Sequence, residues 1–154
     1  MIEVKRIIFI LLSIVCMATI FYLSYMGAPE SNELSKNVTD KMLSVSPQYN
    51  QMDTAYKEEK VNNNNDKVRS IAHFSLFLIL GLLLLNAISQ KVSIKTLIIA
   101  FLICACYAVF DEYFQKWLGK GRAFEFIDLL KDWSGSVTGI FISFISAKIR
   151  ESKI

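Results

Sequence analysis

Hydrophobic and polar positions fall in blocks along this chain rather than alternating. Ile7 to Met26 is a run of about twenty residues without a charge, the length a helix needs to cross roughly 30 Å of hydrocarbon. Lys5 and Arg6 precede it, and Tyr22 and Tyr25 sit at its far end, where interfacial anchors belong. Residues 71–88, 95–114 and 133–147 form three further apolar runs, the last the shortest. The pattern predicts an all-α membrane protein, a bundle of four transmembrane helices at about 7–26, 71–88, 95–114 and 133–147. A backbone inside lipid must satisfy its own hydrogen bonds, and helices do so within one segment. Within the last run Gly135, Gly139 and Ser143 lie four apart, the spacing that lets helix backbones approach closely.

Residues 28–70 break this pattern. They mix acids and bases, include Asn62 to Asn65 in a row, and show no apolar period of a folded domain. The expectation is a polar, partly flexible extramembrane loop inside a single integral membrane domain spanning 1–154. A cleaved signal peptide is the competing reading of the first run. Its core is long for one, and Met26-Gly27-Ala28 is a poor cleavage site, so an uncleaved membrane helix is expected.

Composition changes the picture little. Hydrophobic residues make up 53% of the chain, which in blocks of this length argues against an ordinary soluble core. The net charge of +3 suits a position near anionic lipid, and no basic face interleaved with aromatics suggests nucleic acid. Cys16, Cys104 and Cys106 all lie inside apolar runs, where buried, inert thiols are expected. Basic density orients the bundle. With the N-terminus inside, the short cytoplasmic pieces hold Lys5, Arg6, Lys91, Lys95, Lys148, Arg150 and Lys153 against Glu3 and Glu151. A raw count of Lys and Arg favours the other side, but over much longer segments. Both termini are therefore expected to be cytoplasmic.

The chemistry gathers at the mouths of the last two runs. Asp111, Glu112 and Gln115 close the third, and Arg122, Asp128 and Asp132 lead into the fourth. Carboxylates near hydrocarbon cost free energy, so a chain that keeps four of them there uses them. Gln115 lies four residues from Asp111 and three from Glu112, next to either on a helix surface. Asp128, Asp132, Gly135 and Gly139 follow at intervals of four, three and four, one helical face. That face is expected to pack on the third span and bring its acids toward Asp111 and Glu112, with Arg122 as the neutralising cation. His73, the one histidine, begins the second span and reaches the same level in this topology.

Three readings of this constellation stand side by side. It is a buried ion-pair network that fixes register; or a binding site in which Arg122, Lys116, Lys120 and Trp117 hold a phosphate or carboxylate headgroup; or a catalytic site with His73 or a carboxylate as base or metal ligand acting on a lipid-linked substrate. The spacing matches no recognised metal motif, so no metal is assigned, and no cofactor follows from the residues.

The order Ala72-His73-Phe74 into Leu80-Gly81, then Asp111-Glu112-x-x-Gln115, then Arg122-x5-Asp128-x3-Asp132-x2-Gly135-x3-Gly139, resembles the VanZ-like family over roughly residues 69–143. That resemblance implies a small bacterial membrane protein associated with low-level resistance to teicoplanin, a lipoglycopeptide antibiotic. It implies His73, Asp111, Glu112, Gln115, Arg122 and Asp128 as the functional set; the residues themselves, by their place beside it, make Arg122, Lys120, Trp117 and Asp132 the candidate substrate contacts. The implied partners are membrane lipids and either a lipid-linked cell-wall precursor or the antibiotic itself. This chain departs from the family pattern at Leu76-Phe77, where Glu-Tyr is common, at Ser70, where Lys is common, and at Asp132, where Asn is common. The first two departures remove a charge relay along the second span, and the third adds a negative charge to the site.

Overall fold

The computed structural model describes residues 2–88 and 93–152, all of them helix or short connection. Six helices follow in order: α1 (Ile2–Tyr25), α2 (Ala28–Leu43), α3 (Pro47–Asn50), α4 (Thr54–Ile88), α5 (Ile94–Leu118) and α6 (Phe126–Glu151). Lys91 and Lys153, which enter the orientation argument above, lie outside the described residues.

Four long helices, α1, α4, α5 and α6, form the bundle. Three of them, α1, α4 and α5, are long and apolar enough to cross a membrane. The expected count of four is thus one too many by this measure. Helix α6 is 26 residues long, but Asp128, Lys131 and Asp132 at one end and Lys148, Arg150 and Glu151 at the other leave a short apolar middle, itself rich in Ser, Thr and Gly. Large side chains such as Leu11 and Val15 of α1, Ile98 and Leu102 of α5, and Phe141 and Ile145 of α6 stay exposed on the outside of the bundle. Apolar surface on that scale needs lipid against it. The protein is an all-α, multi-pass membrane protein.

Neighbouring contacts fix the directions of the helices. Arg6 Nε donates to the Ala87 carbonyl at 3.0 Å, and Cys16 Sγ to Leu76 at 3.7 Å, so α1 and α4 run antiparallel. Tyr107 Oη donates to the Met17 carbonyl at 2.6 Å, and Ser24 meets Asp111, so α1 and α5 run parallel. His73 meets Asp132, and Asn86 Nδ2 donates to Ser143 Oγ at 2.6 Å, so α4 and α6 are parallel too. The small-residue stripe makes this last pair the closest packed. A Cβ built on Gly135 would fall 2.2 Å from the Phe74 carbonyl oxygen, and one on Gly139 1.9 Å from that of Leu78. The glycines of the face carrying Asp128, Asp132, Gly135 and Gly139 therefore pack on α4 backbone, not on α5 as expected, while its Asp132 does come within 4.8 Å of Glu112 on α5.

Residues 28–70 are also mostly helical, where a polar, partly flexible loop was expected. Pro29 opens α2, and Glu30 Oε2 accepts from the Gly27 amide at 3.2 Å, closing its first turn. Helix α4 begins at Thr54, so its first five turns precede the apolar run. Helix α2 packs against these turns, and Asn65 Nδ2 donates to Asn32 Oδ1 at 2.7 Å between them. Of the cysteines, Cys16 and Cys104 are buried as expected, but Cys106 is exposed on the outer side of α5.

Tyr107→Phe tests the α1–α5 pairing with the smallest change available. Hydrogen bonds between membrane helices contribute about 0.6 kcal/mol on average. A stability loss of that order in detergent unfolding is expected, with helix content unchanged.

Candidate functional site

One end of the bundle collects the polar groups. Ser24 arrives from the end of α1, His73 from the body of α4, Asp111, Glu112 and Gln115 from the end of α5, and Asp128 and Asp132 from the start of α6. Two glycines in the left-handed region, Gly119 (φ 64°) and Gly121 (φ 75°), end α5 and turn the chain so that Arg122 comes back over its last turn. The Lys120 carbonyl accepts from the Ala28 amide at 3.0 Å, tying this turn to the start of α2. Helix α2 then lies over the site.

Two connected groups make up the interior. The first is a chain of hydrogen bonds. Ser24 Oγ donates to Asp111 Oδ1 at 2.5 Å, Gln115 Nε2 to Asp111 Oδ2 at 2.8 Å, and Arg122 Nη1 to Gln115 Oε1 at 2.5 Å. The second group centres on His73. Its Nδ1 lies 3.1 Å from Asp132 Oδ1 and its Nε2 3.9 Å from Asp128 Oδ2. Asp128 is held by Lys131 Nζ at 2.5 Å, and Glu112 Oε2 accepts the Glu125 amide at 3.0 Å. One potential ligand atom from each of His73, Glu112 and Asp132 lies within 4.8 Å of the others.

Arg122 does not neutralise the acids as expected. Gln115 stands between it and Asp111, and its Nε is buried without a partner among the described residues. Burial lowers the pKa of this guanidinium, and Arg69 nearby pushes the same way, while Asp111, Glu112 and Asp128 oppose them. It stays charged at neutral pH, since guanidinium titrates far above it.

Between α2 and the bundle lies a cavity of about 160 Å³. Its polar side is formed by Ser24, Arg69, His73, Asp111, Gln115 and Arg122, and Leu23, Leu34, Val38 and Leu76 are among its apolar walls. His73, Asp111, Glu112, Gln115, Arg122, Asp128 and Asp132 thus come together at one site. Trp117 and Lys120 do not join them. Trp117 is 80% exposed on the outside of α5, and Lys120 Nζ sits 4.0 Å above the Tyr25 ring. Lys116, also proposed for a headgroup, is exposed beside Trp117.

Ser24 and Arg69 also line the cavity, and neither is among the candidates that the sequence pattern singles out. Ser24 leaves no signal, being one more small residue in an apolar helix. The α2 wall does leave one: Ser31, Leu34, Ser35 and Val38 follow a helical stripe.

No curated protein and no solved structure matches the chain. A family model described as VanZ/LLP1 matches residues 9–147, nearly the whole bundle and every residue of the site. The chain belongs to the VanZ/LLP1 family.

Proposed function

We propose that this VanZ-like protein lowers susceptibility to glycopeptide antibiotics, teicoplanin in particular, by altering an envelope lipid or lipid-linked cell-wall precursor at the outer face of the bacterial plasma membrane. The observation that carries this reading is the make-up of the cavity. Two guanidiniums, Arg69 and Arg122, line it, and among the described residues neither is ion-paired with an acid; apolar walls and a histidine–carboxylate cluster stand beside them. Unpaired like charges side by side suit an anionic group between them, and the apolar wall suits the chain attached to it. His73 with Asp132 beside it has the make-up of a general base held in one orientation. The basic density around Lys5, Arg6, Lys148 and Arg150 supports cytoplasmic termini, which puts the cavity outside.

A second reading has one observation in its favour: the exposed Trp117, which continues a row of aromatics from Phe110 through Phe114. An aromatic edge of this kind suits a protein that binds the lipid tail of a lipoglycopeptide and keeps the drug from its target, with no reaction.

Expression of wild type, Arg122→Gln and Trp117→Ala in a teicoplanin-sensitive Gram-positive host separates the two. Mass spectrometry of envelope lipids and precursors accompanies the susceptibility measurement. The first reading predicts that wild type raises teicoplanin tolerance and changes a lipid or precursor. Arg122→Gln removes charge-assisted hydrogen bonds of about 1.5–3 kcal/mol, roughly a 10- to 150-fold loss of affinity, so tolerance falls to the vector level. Trp117→Ala keeps it. Loss in Trp117→Ala with an unchanged lipid profile supports the second reading instead. No gain with abundant wild type defeats both.

A further inference from the structure

We propose that His73, Glu112 and Asp132 form a binding site for a divalent cation of the Mn2+ or Zn2+ class. This rests on the geometry of the cluster and stands whether or not the teicoplanin reading holds.

The three side chains come from α4, α5 and α6, and one ligand atom of each lies within 4.8 Å of the others. Two of them are carboxylates cut off from solvent, Glu112 at 1% and Asp132 at 0% exposure. Among the described residues no Lys or Arg forms an ion pair with either. Two neighbouring cations are engaged elsewhere, Arg122 with Gln115 and Lys131 with Asp128. His73 is the one basic side chain against these two buried carboxylates among the described residues, and burying more carboxylates than cations is costly, so the cluster calls for positive charge at its centre.

A second observation marks where that charge belongs. Asp132 Oδ2 is fully buried and has no hydrogen-bond partner among the described residues, although its sister oxygen meets His73. A buried carboxylate oxygen left open calls for a partner such as an ion or a water. The separation of His73 Nδ1 and Asp132 Oδ1, 3.1 Å, also fits. Two donors at about 2.1 Å from one ion and at right angles to each other stand about 3.0 Å apart.

The donor set selects the ion. One imidazole and two carboxylates suit Mn2+, Zn2+ or Fe2+, whereas Ca2+ and Mg2+ favour sites built of oxygen alone. Asp128, 3.9 Å from His73 Nε2 and fixed by Lys131, flanks the triad as a third carboxylate. Because His73 also lines the cavity with Arg69 and Arg122, a cation on the triad would border the space where an anionic group fits.

The test uses the full chain, purified in detergent and stripped with a chelator, then titrated with MnCl2 and ZnCl2 by calorimetry, with CaCl2 for contrast. Bound metal is counted by mass spectrometry. The expected result is one Mn2+ or Zn2+ per chain, weaker Ca2+ binding, and a melting temperature raised by the metal. Glu112→Gln and Asp132→Asn should each weaken binding more than about tenfold while remaining helical. Should Asp132→Asn fail to fold, Glu112→Gln decides, since glutamine still accepts the Glu125 amide. Absence of Mn2+ and Zn2+ binding by folded wild type overturns the proposal. So does binding of unchanged strength in the folded variants, or Ca2+ binding as tight as either metal.

Discussion

Replacing Gly139 by alanine is expected to destabilise the protein by about 3 kcal/mol or more, although alanine is the better helix former. The propensity gain is at most about 1 kcal/mol. Against it stands the added methyl, whose carbon would lie 1.9 Å from the Leu78 carbonyl oxygen and 2.9 Å from the Leu82 nitrogen. That is about 1.5 Å short of ordinary contact, and the obstacle is helix backbone rather than a side chain that can swing away. The helices must separate. Since α6 carries Asp132 toward His73 two turns away, the 3.1 Å contact between them should be lost with the packing. Unfolding in mixed detergent measures the first effect. Gly27→Ala is the control: its Cβ would meet Lys120 Cβ at 3.5 Å, ordinary contact, and little change is expected.

Glu112→Gln should have the opposite profile, with the fold kept and the function lost. Glutamine matches the size of the native side chain and can still accept the Glu125 amide, now 3.0 Å from Oε2. It removes one charge from a carboxylate that is 1% exposed and has no Lys or Arg partner among the described residues. Neutralising an unpaired buried charge leaves stability unchanged or raises it. If the cluster existed to fix helix register, the same change would cost stability and little else. An intact or firmer fold with lost activity is the signature of a residue kept for function against its stability cost.

How much of this was legible in the sequence differs from element to element. The apolar runs mark α1, α4 and α5, because lipid demands length and apolarity together. The four-three-four spacing of Asp128, Asp132, Gly135 and Gly139 marks one packed face of α6, since glycines and acids on one stripe serve close approach and a site. Its partner was not legible. The glycines specify only that bare backbone comes near, and α4 and α5 both offer apolar surface. Helix α2 and the early turns of α4 were read as loop because charged residues there outnumber apolar ones. Their stripes, Ser31, Leu34, Ser35 and Val38 on one and Val61, Asn65, Val68 and Arg69 on the other, are short and half polar. The pairing of Arg122 with the acids failed for a different reason. Charge alone suggested an ion pair, whereas Gln115 reaches the guanidinium first and passes the contact to Asp111. Likewise the grouping of His73, Glu112 and Asp132 has no motif spacing, because each residue comes from a different helix.

The central claim is that the buried cluster, and not merely the bundle around it, does the work of this protein. Its most direct test is teicoplanin and vancomycin susceptibility in a sensitive Gram-positive host carrying vector, wild type or Glu112→Gln, with membrane abundance quantified in the same cells. The predicted result is a gain in teicoplanin tolerance with wild type and none with an equally abundant Glu112→Gln. Equal tolerance from both proteins would contradict the claim.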